Sequence, residues 1–373
     1  AKAHFPAPVA GVIELVAGVA YFVVGSVDLT GDRINCAGVN SILGGSTETS
    51  FLVSTGLASG TAMITSTSTF VLKSISLTAA TLFDLNGSGA GSGTALDWFG
   101  VNFLNCPEIG TIQNYDNAIF NTLGILNSAG WTFDGTIGTV GFVDTLFEGS
   151  TGATIITIPA TATITRRFRV RYSAIVTLAG ETSFDVSTSA TLPVEGYILD
   201  HCNFAGGGTY IAGVQNDDVT ALFDDNVGIP NSANLASYGM TGNTTATVIA
   251  VISTPVKIAG TTTAAAITQG FNTATTNRAV YTRQVQRTFK ITATATVSGA
   301  TNKSVGVFIA KNGVVDTTTR GGGSTGSGGR ADGVVSQGVF DISETDYLEV
   351  WIENADSTDN LTVDDLNVIA LAL

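Results

Sequence analysis

From Gly11 to Gly228 the chain repeats one phrase: a short apolar run of strand length, then Asn, Asp or Gly, then another short run. Segments such as VIELVAG, RINCAGVNSILGG, VNFLNCPEIGTIQN and YILDHCNFAGGGTYIAGV carry it, and no helical period survives across them. The pair Leu104-Asn105 recurs at Leu126-Asn127, and Phe147-Glu148 follows at almost the same interval. That interval is close to one turn of a parallel β-helix, and a recurring period of this size signals a solenoid. Each coil then sends apolar side chains inward in stacked rows. Its polar corners use Asn and Asp, which tolerate left-handed dihedrals, and Gly, which meets no steric penalty there. A hairpin-built sandwich also yields short strands and turn residues, and the spacing after Thr151 is uneven; the recurrence at one coil's length favours the solenoid.

Composition agrees, since 44 glycines and only 12% charged residues describe a β-rich chain. Cys36, Cys106 and Cys202 are far apart, odd in number and without CxxC spacing. They suggest neither a disulfide framework nor a zinc site, and read as buried members of the inward rows. The apolar stretch from Val9 to Val27 contains Glu14, glycines and many β-branched residues, and Asp28 and Asp32 follow it. Buried strands are expected there rather than a membrane span.

Between Asn226 and Thr245 the texture turns polar in IPNSANLASYGMTGNTT, so the expected division is a solenoid over 1–230, a linker over 231–244 and a second domain over 245–373. The later strands, among them RTFKITATATVSG, KSVGVFIAKNG, GVVSQGVFDIS and LTVDDLNVIALAL, are longer and alternate. Alternation means one buried and one wet face, as in an antiparallel sandwich. In DYLEVWIEN, Leu348, Val350 and Ile352 take one face. Tyr347, Glu349, Trp351 and Glu353 take the other, where two exposed aromatics would mark a subunit contact.

The segments RTFKITATATVSG, SVGVFIAKNG and DISETDYLEVWIENADSTDNLTVDDLNVIALAL resemble the jelly rolls of the tumour necrosis factor and C1q type that end many phage fibres and spikes. GVIELVAGVAYFVVGSVDLTGDRI is similar to the opening coils of phage tailspike β-helices. The expected fold class is therefore all-β: an N-terminal right-handed parallel β-helix-like solenoid followed by an antiparallel β-sandwich of jelly-roll type. The resemblance implies a homotrimer on the virion surface, a non-catalytic tail fibre or spike attaching to host glycan and to other virion proteins. The alternatives it leaves open are a capsid-decorating protein and a polysaccharide depolymerase.

The formal net charge of -14 excludes a nucleic-acid surface, which needs clustered Lys and Arg. The one concentrated basic segment is TRRFRVRY, where a strand puts Arg167, Arg169 and Arg171 on one face and Phe168, Val170 and Tyr172 on the other. Arg320 and Arg330 bracket GGGSTGSGG, which lacks the Lys-Ser/Thr of a phosphate loop and reads as a long flexible hairpin. These five arginines are the expected receptor or partner contacts, by bidentate guanidinium bonding.

With only His4 and His201, a histidine-based metal site or triad has almost no material. Glycan cleavage would need two facing carboxylates. The candidates are Asp84, Asp97, Asp116, Asp134, Asp144, Glu148, Asp200, Asp217, Asp218, Asp224 and Asp225, most of them placed where a turn would use an Asp for backbone capping. The pairs Asp217-Asp218 and Asp224-Asp225 match no EF-hand loop. No catalytic residue, metal or cofactor is expected, and no membrane insertion.

Overall fold

Side-chain alternation sorts this chain, and the computed structural model shows where each set goes. It describes all residues except 1–4, 59, 150–152, 217, 219, 231, 233–234, 265–269, 274–276 and 284–285, and residue 332 by its backbone alone. Two compact units result, Ala1–Ser232 and Ala233–Leu373.

In the first unit every named strand pairs in parallel with the equivalent strand of a neighbouring coil. One sheet runs through Val12–Glu14, Arg33–Cys36, Ile64–Ser66, Thr81–Asn86, Glu108–Gln113, Trp131–Asp134, Thr154–Ile158, Thr182–Val186 and Thr209–Gly213. A second begins at Ala20–Val23 and ends at Ala221–Asp224. Shorter strands such as Leu146–Glu148, Ala174–Thr177 and Asn203–Gly206 add a third face. This is a parallel β-solenoid.

Its interior is built of rows. Register places Leu52, Leu77, Phe103, Ile125, Phe147, Ile175 and Phe204 one above another, all buried. Trp98, Phe120 and Phe142 form a second row facing Trp131, with the Trp98 and Trp131 rings stacked at 5.9 Å and 11°. Each ring removes a large apolar area from water and meets its neighbours in offset or edge contact. Register also refines the repeat: Leu104 lies opposite Leu126, but Phe147 lies opposite Ile125, and Glu148 takes the place opposite Leu126. The step from Ala95 to its partner Asn117 is shorter than the step from Phe168 to its partner Tyr197. The rows hold and the loops absorb the difference, which is why the spacing drifts after Thr151.

One corner is a column of left-handed residues: Ser74, Gly100, Thr122, Asp144, Tyr172, His201 and Asp225 all have φ between 50° and 61°. They turn the strands of the second sheet onto the third face, and coil-to-coil bonds such as Tyr172 N–H to Asp200 O at 3.1 Å and His201 N–H to Asp224 O at 3.0 Å carry the ladder through. At other corners Asn127 Nδ2 donates to Asn105 Oδ1 at 2.8 Å and Asn114 Nδ2 to Asn86 Oδ1 at 2.9 Å. Side-chain amides thus repeat the backbone's own pairing between coils.

All three cysteines are buried and free, as expected, and burial, with the Glu14 charge adding, pushes the Cys36 thiol up to about 12. A thiol held protonated is a packing group, not a nucleophile. The stretch from Val9 to Val27 forms strands, but only half of it is inside: Ile13, Leu15, Tyr21, Val23 and Val27 are buried while Val16, Phe22 and Val24 are exposed. Among the described residues no helix is long and apolar enough to cross a membrane.

The second unit consists of two antiparallel sheets over one core. The first runs Thr263–Ala264, Leu235–Met240, Leu361–Ala372, Arg287–Gly299, Arg330–Ile342. The second is centred on Tyr347–Asn354 and Ser304–Lys311. Phe289, Ile291, Val297, Val307, Ile309, Val350, Ile352 and Val368 lie between them.

Three expectations need correction here. The stretch assigned to a linker, 231–244, contains a full strand, Leu235–Met240, antiparallel to Leu366–Leu371; its buried set is Ala236, Tyr238 and Met240, masked in the sequence by Ser and Gly on the alternate positions. The Gly-rich loop is not a long flexible hairpin, because Gly321–Ser324 pairs with Ser304–Val307. Glycine is required there: a Cβ on Gly321 would collide with the Val335 carbonyl oxygen. Finally, the face carrying Tyr347, Glu349, Trp351 and Glu353 is not wet, since Glu349 and Glu353 are buried within the chain.

Candidate functional site

The strand Thr163–Arg171 buries Phe168 and Val170 and turns Arg167, Arg169 and Arg171 outward, as alternation requires. Tyr172 departs from the expected pattern: at the left-handed corner the alternation resets, so its ring is 52% exposed instead of joining Phe168 and Val170 inside.

Two of the three arginines are already committed. Asp200 lies opposite Arg171 in the next coil. Its Oδ2 accepts from Arg169 Nη2 and stands 3.1 Å from Arg171 Nε, while its Oδ1 bonds His201 Nδ1. Burial pushes the Asp200 carboxyl up, yet the bonds from His201 and Arg169, with the Arg171 charge, outweigh it and leave it below the usual carboxylate range. The same bond, helped by Asp225 3.1 Å from Nε2, holds the His201 imidazole above its ordinary value. The Arg171 guanidinium lies 4.7 Å over the Tyr172 ring. Arg166, not singled out in the sequence, binds Asp116 at 2.9 Å. No side-chain hydrogen bond or ion pair joins Arg167 to another described residue, and it is exposed. The basic stripe is therefore mostly an internal clamp between coils, with one arm left over.

Arg320 and Arg330 are not brought together as a tip. Arg320 Nε donates to the buried Glu353 at 2.8 Å, and Arg330 opens a strand opposite Ser298 with its side chain exposed.

Three of the candidate carboxylates cap backbone N–H groups. Asp116 takes the Gly91 N–H as well as Arg166, and that backbone bond above all draws its carboxyl below the usual range. Asp134 accepts from Gly135 N–H and Thr161, and Asp218 from Gln215 N–H. Asp217 and His4 lie outside the described residues. No cluster of three or more His, Cys, Asp or Glu suited to a metal occurs among the described residues.

What the strands do assemble is a polar groove of about 390 Å³ on the outer face of the first sheet, lined by Arg33, Thr61, Thr65, Thr81, Asp84, Glu108, Thr111 and Gln113. Outward positions of neighbouring coils fall in line by register, Glu108 beside Thr81 and Thr111 beside Asp84. Glu108 accepts from Thr81 Oγ1 at 2.7 Å. Asp84 was among the sequence candidates; Glu108, Arg33 and the threonines were not, because only the coil register shows that residues tens of positions apart share one outer face. The two acids are offset by three positions along adjacent strands, about 10 Å at a rise of about 3.3 Å per residue. A second groove, about 370 Å³, follows the left-handed corner past Asn102, Thr122, Asp144 and Tyr172.

These features define an all-β protein in which a parallel solenoid with polar outer grooves is joined to an antiparallel sandwich. No family model matches the chain, and no curated protein matches it. Among solved structures it is similar to the enzymatically active domain of tailspike protein 4 from bacteriophage CBA120, at 12% identity over 95% of this chain and 64% of that one, with a TM-score of 0.27. It is similar also to WceF of Pantoea stewartii, a glycan biofilm modifying enzyme with a tailspike-like parallel β-helix fold, at 10% identity over 96% of this chain and 56% of that one, TM-score 0.30. The chain thus spans less than two thirds of either protein. Murine APRIL aligns over 37% of this chain and 98% of its own at 12% identity, TM-score 0.27.

Proposed function

We propose that this chain is a non-catalytic surface protein of a bacteriophage virion, a homotrimeric tail spike or fibre that attaches to glycan on the host. The observation that supports attachment is the groove of Arg33, Asp84, Glu108 and threonines, whose donors and acceptors suit a polyhydroxylated chain. A net charge of -14 disfavours nucleic acid as the partner.

The test is a panel of bacterial surface polysaccharides presented to the purified full chain. Binding of at least one member without release of reducing ends is expected, and Arg33→Ala should weaken that binding about tenfold, as for loss of one charge-assisted hydrogen bond. Steady release of reducing ends would replace this reading with a depolymerase, and failure to bind any member would remove the glycan from it.

A further inference from the structure

The first sheet of the second unit has a core side and an outer side, and the outer side differs from the rest of this acidic chain. Register lays out three successive rows across four strands. Leu235, Leu371, Lys290 and Val339 form one; Ser237, Ile369, Thr292 and Gln337 the next; Gly239, Asn367, Thr294 and Val335 the third. Ile369, Leu371, Val335 and Val339 are 42%, 53%, 43% and 60% exposed. In these rows there is no carboxylate and one charge, Lys290, although the chain carries 30 acidic residues against 16 basic ones. The acids stand at the margins: Asp341 is tied to Thr288, and Asp364 and Asp365 to Ser298 and the Gly242 N–H.

We infer that this face is the surface on which a second copy of the chain packs. The inference rests on the homotrimer reading above and names the contact it left open. Two chains of charge -14 repel wherever their acids meet, so copies can approach closely only over a surface cleared of acid. The same chemistry disfavours other occupants. One lysine does not hold a polyanion, and a face without an aromatic platform or carboxylate offers a glycan little. Twelve positions on a pleated sheet cover about 400 Å² at about 4.8 Å between strands, about half of an interface of roughly 800 Å² per partner and suited to its centre. At the sheet edge the face runs into a cavity of about 490 Å³ that shares Ser237, Gly239 and Asn367 with it, room for a neighbour's side chain.

The experiment is light scattering on the full chain, on Ile369→Glu combined with Val339→Glu, and on Val314→Glu, a control whose valine is 72% exposed outside this face. The expected result is an oligomer for the unmodified chain and the control, and a 38.1 kDa monomer for the double variant with its β-sheet circular dichroism intact. Should the double variant lose that signal, Ile369→Thr with Leu371→Thr keeps strand-favouring side chains, and is expected to raise the dissociation midpoint at least tenfold in concentration. An oligomer unaffected by these face variants overturns the inference while the homotrimer reading stands. An unmodified chain at 38.1 kDa overturns both.

Discussion

Replacing Trp131 with alanine is expected to destabilise the solenoid by about 3–5 kcal/mol, the range for removing a large aromatic from a packed core. Trp131 is fully buried, with ring centroids 4.9 Å from Phe120, 5.1 Å from Phe133, 5.3 Å from Phe142 and 5.4 Å from Phe103. A cavity there faces rows in register above and below, which cannot close without shifting several coils. Trp131→Phe is expected to lose distinctly less, because the indole Nε1 meets no hydrogen-bond partner among the described residues; phenylalanine gives up area but removes that buried donor. Denaturant titration followed by near-ultraviolet circular dichroism checks both, and equal losses would contradict the row-packing account.

The second large effect belongs to the sandwich. Glu349 is 2% exposed, and its carboxylate receives Lys257 Nζ at 2.7 Å, Arg278 Nη2 at 2.9 Å and Trp351 Nε1 at 3.2 Å. Glu349→Gln is expected to cost about 3 kcal/mol, the low end for breaking a buried ion pair, because Lys257 and Arg278 keep some access to water. Burial raises the Glu349 carboxyl, but the bonds from Lys257, Arg278 and Trp351 outweigh it, so its folded value lies below the ordinary one. A depressed carboxyl stabilises the fold fully above its unfolded pKa, and that contribution disappears as pH falls through the folded value. The melting-temperature gap between the unmodified chain and Glu349→Gln should therefore be widest near neutrality and narrow below about pH 4, in the ordinary range of glutamate. A gap that grew on acidification would show the ion pair to be unimportant.

The division into many-corner solenoid and alternating sandwich was legible because both are periodic: Asn105 and Asn127 mark the same corner, and Phe289, Ile291 and Val297 declare their core face. Tyr172 was misplaced because alternation fails at a left-handed corner, and a single Tyr gives no sign of its dihedral angle. The strand Leu235–Met240 was missed because Ala, Gly and Ser dilute its pattern. Glu349 and Glu353 were assigned to water because alternation reports a side, not whether other segments cover it; Lys257, Arg278 and Arg320 do so from distant sequence. The outer groove was invisible for the same reason, since Arg33, Asp84 and Glu108 are joined only by register.

The central claim, that this chain acts as a trimeric assembly component, is tested most directly by the molar mass of the full chain in solution. A mass of three times 38.1 kDa is expected, held on dilution through the micromolar range. A single 38.1 kDa species at every concentration would contradict it.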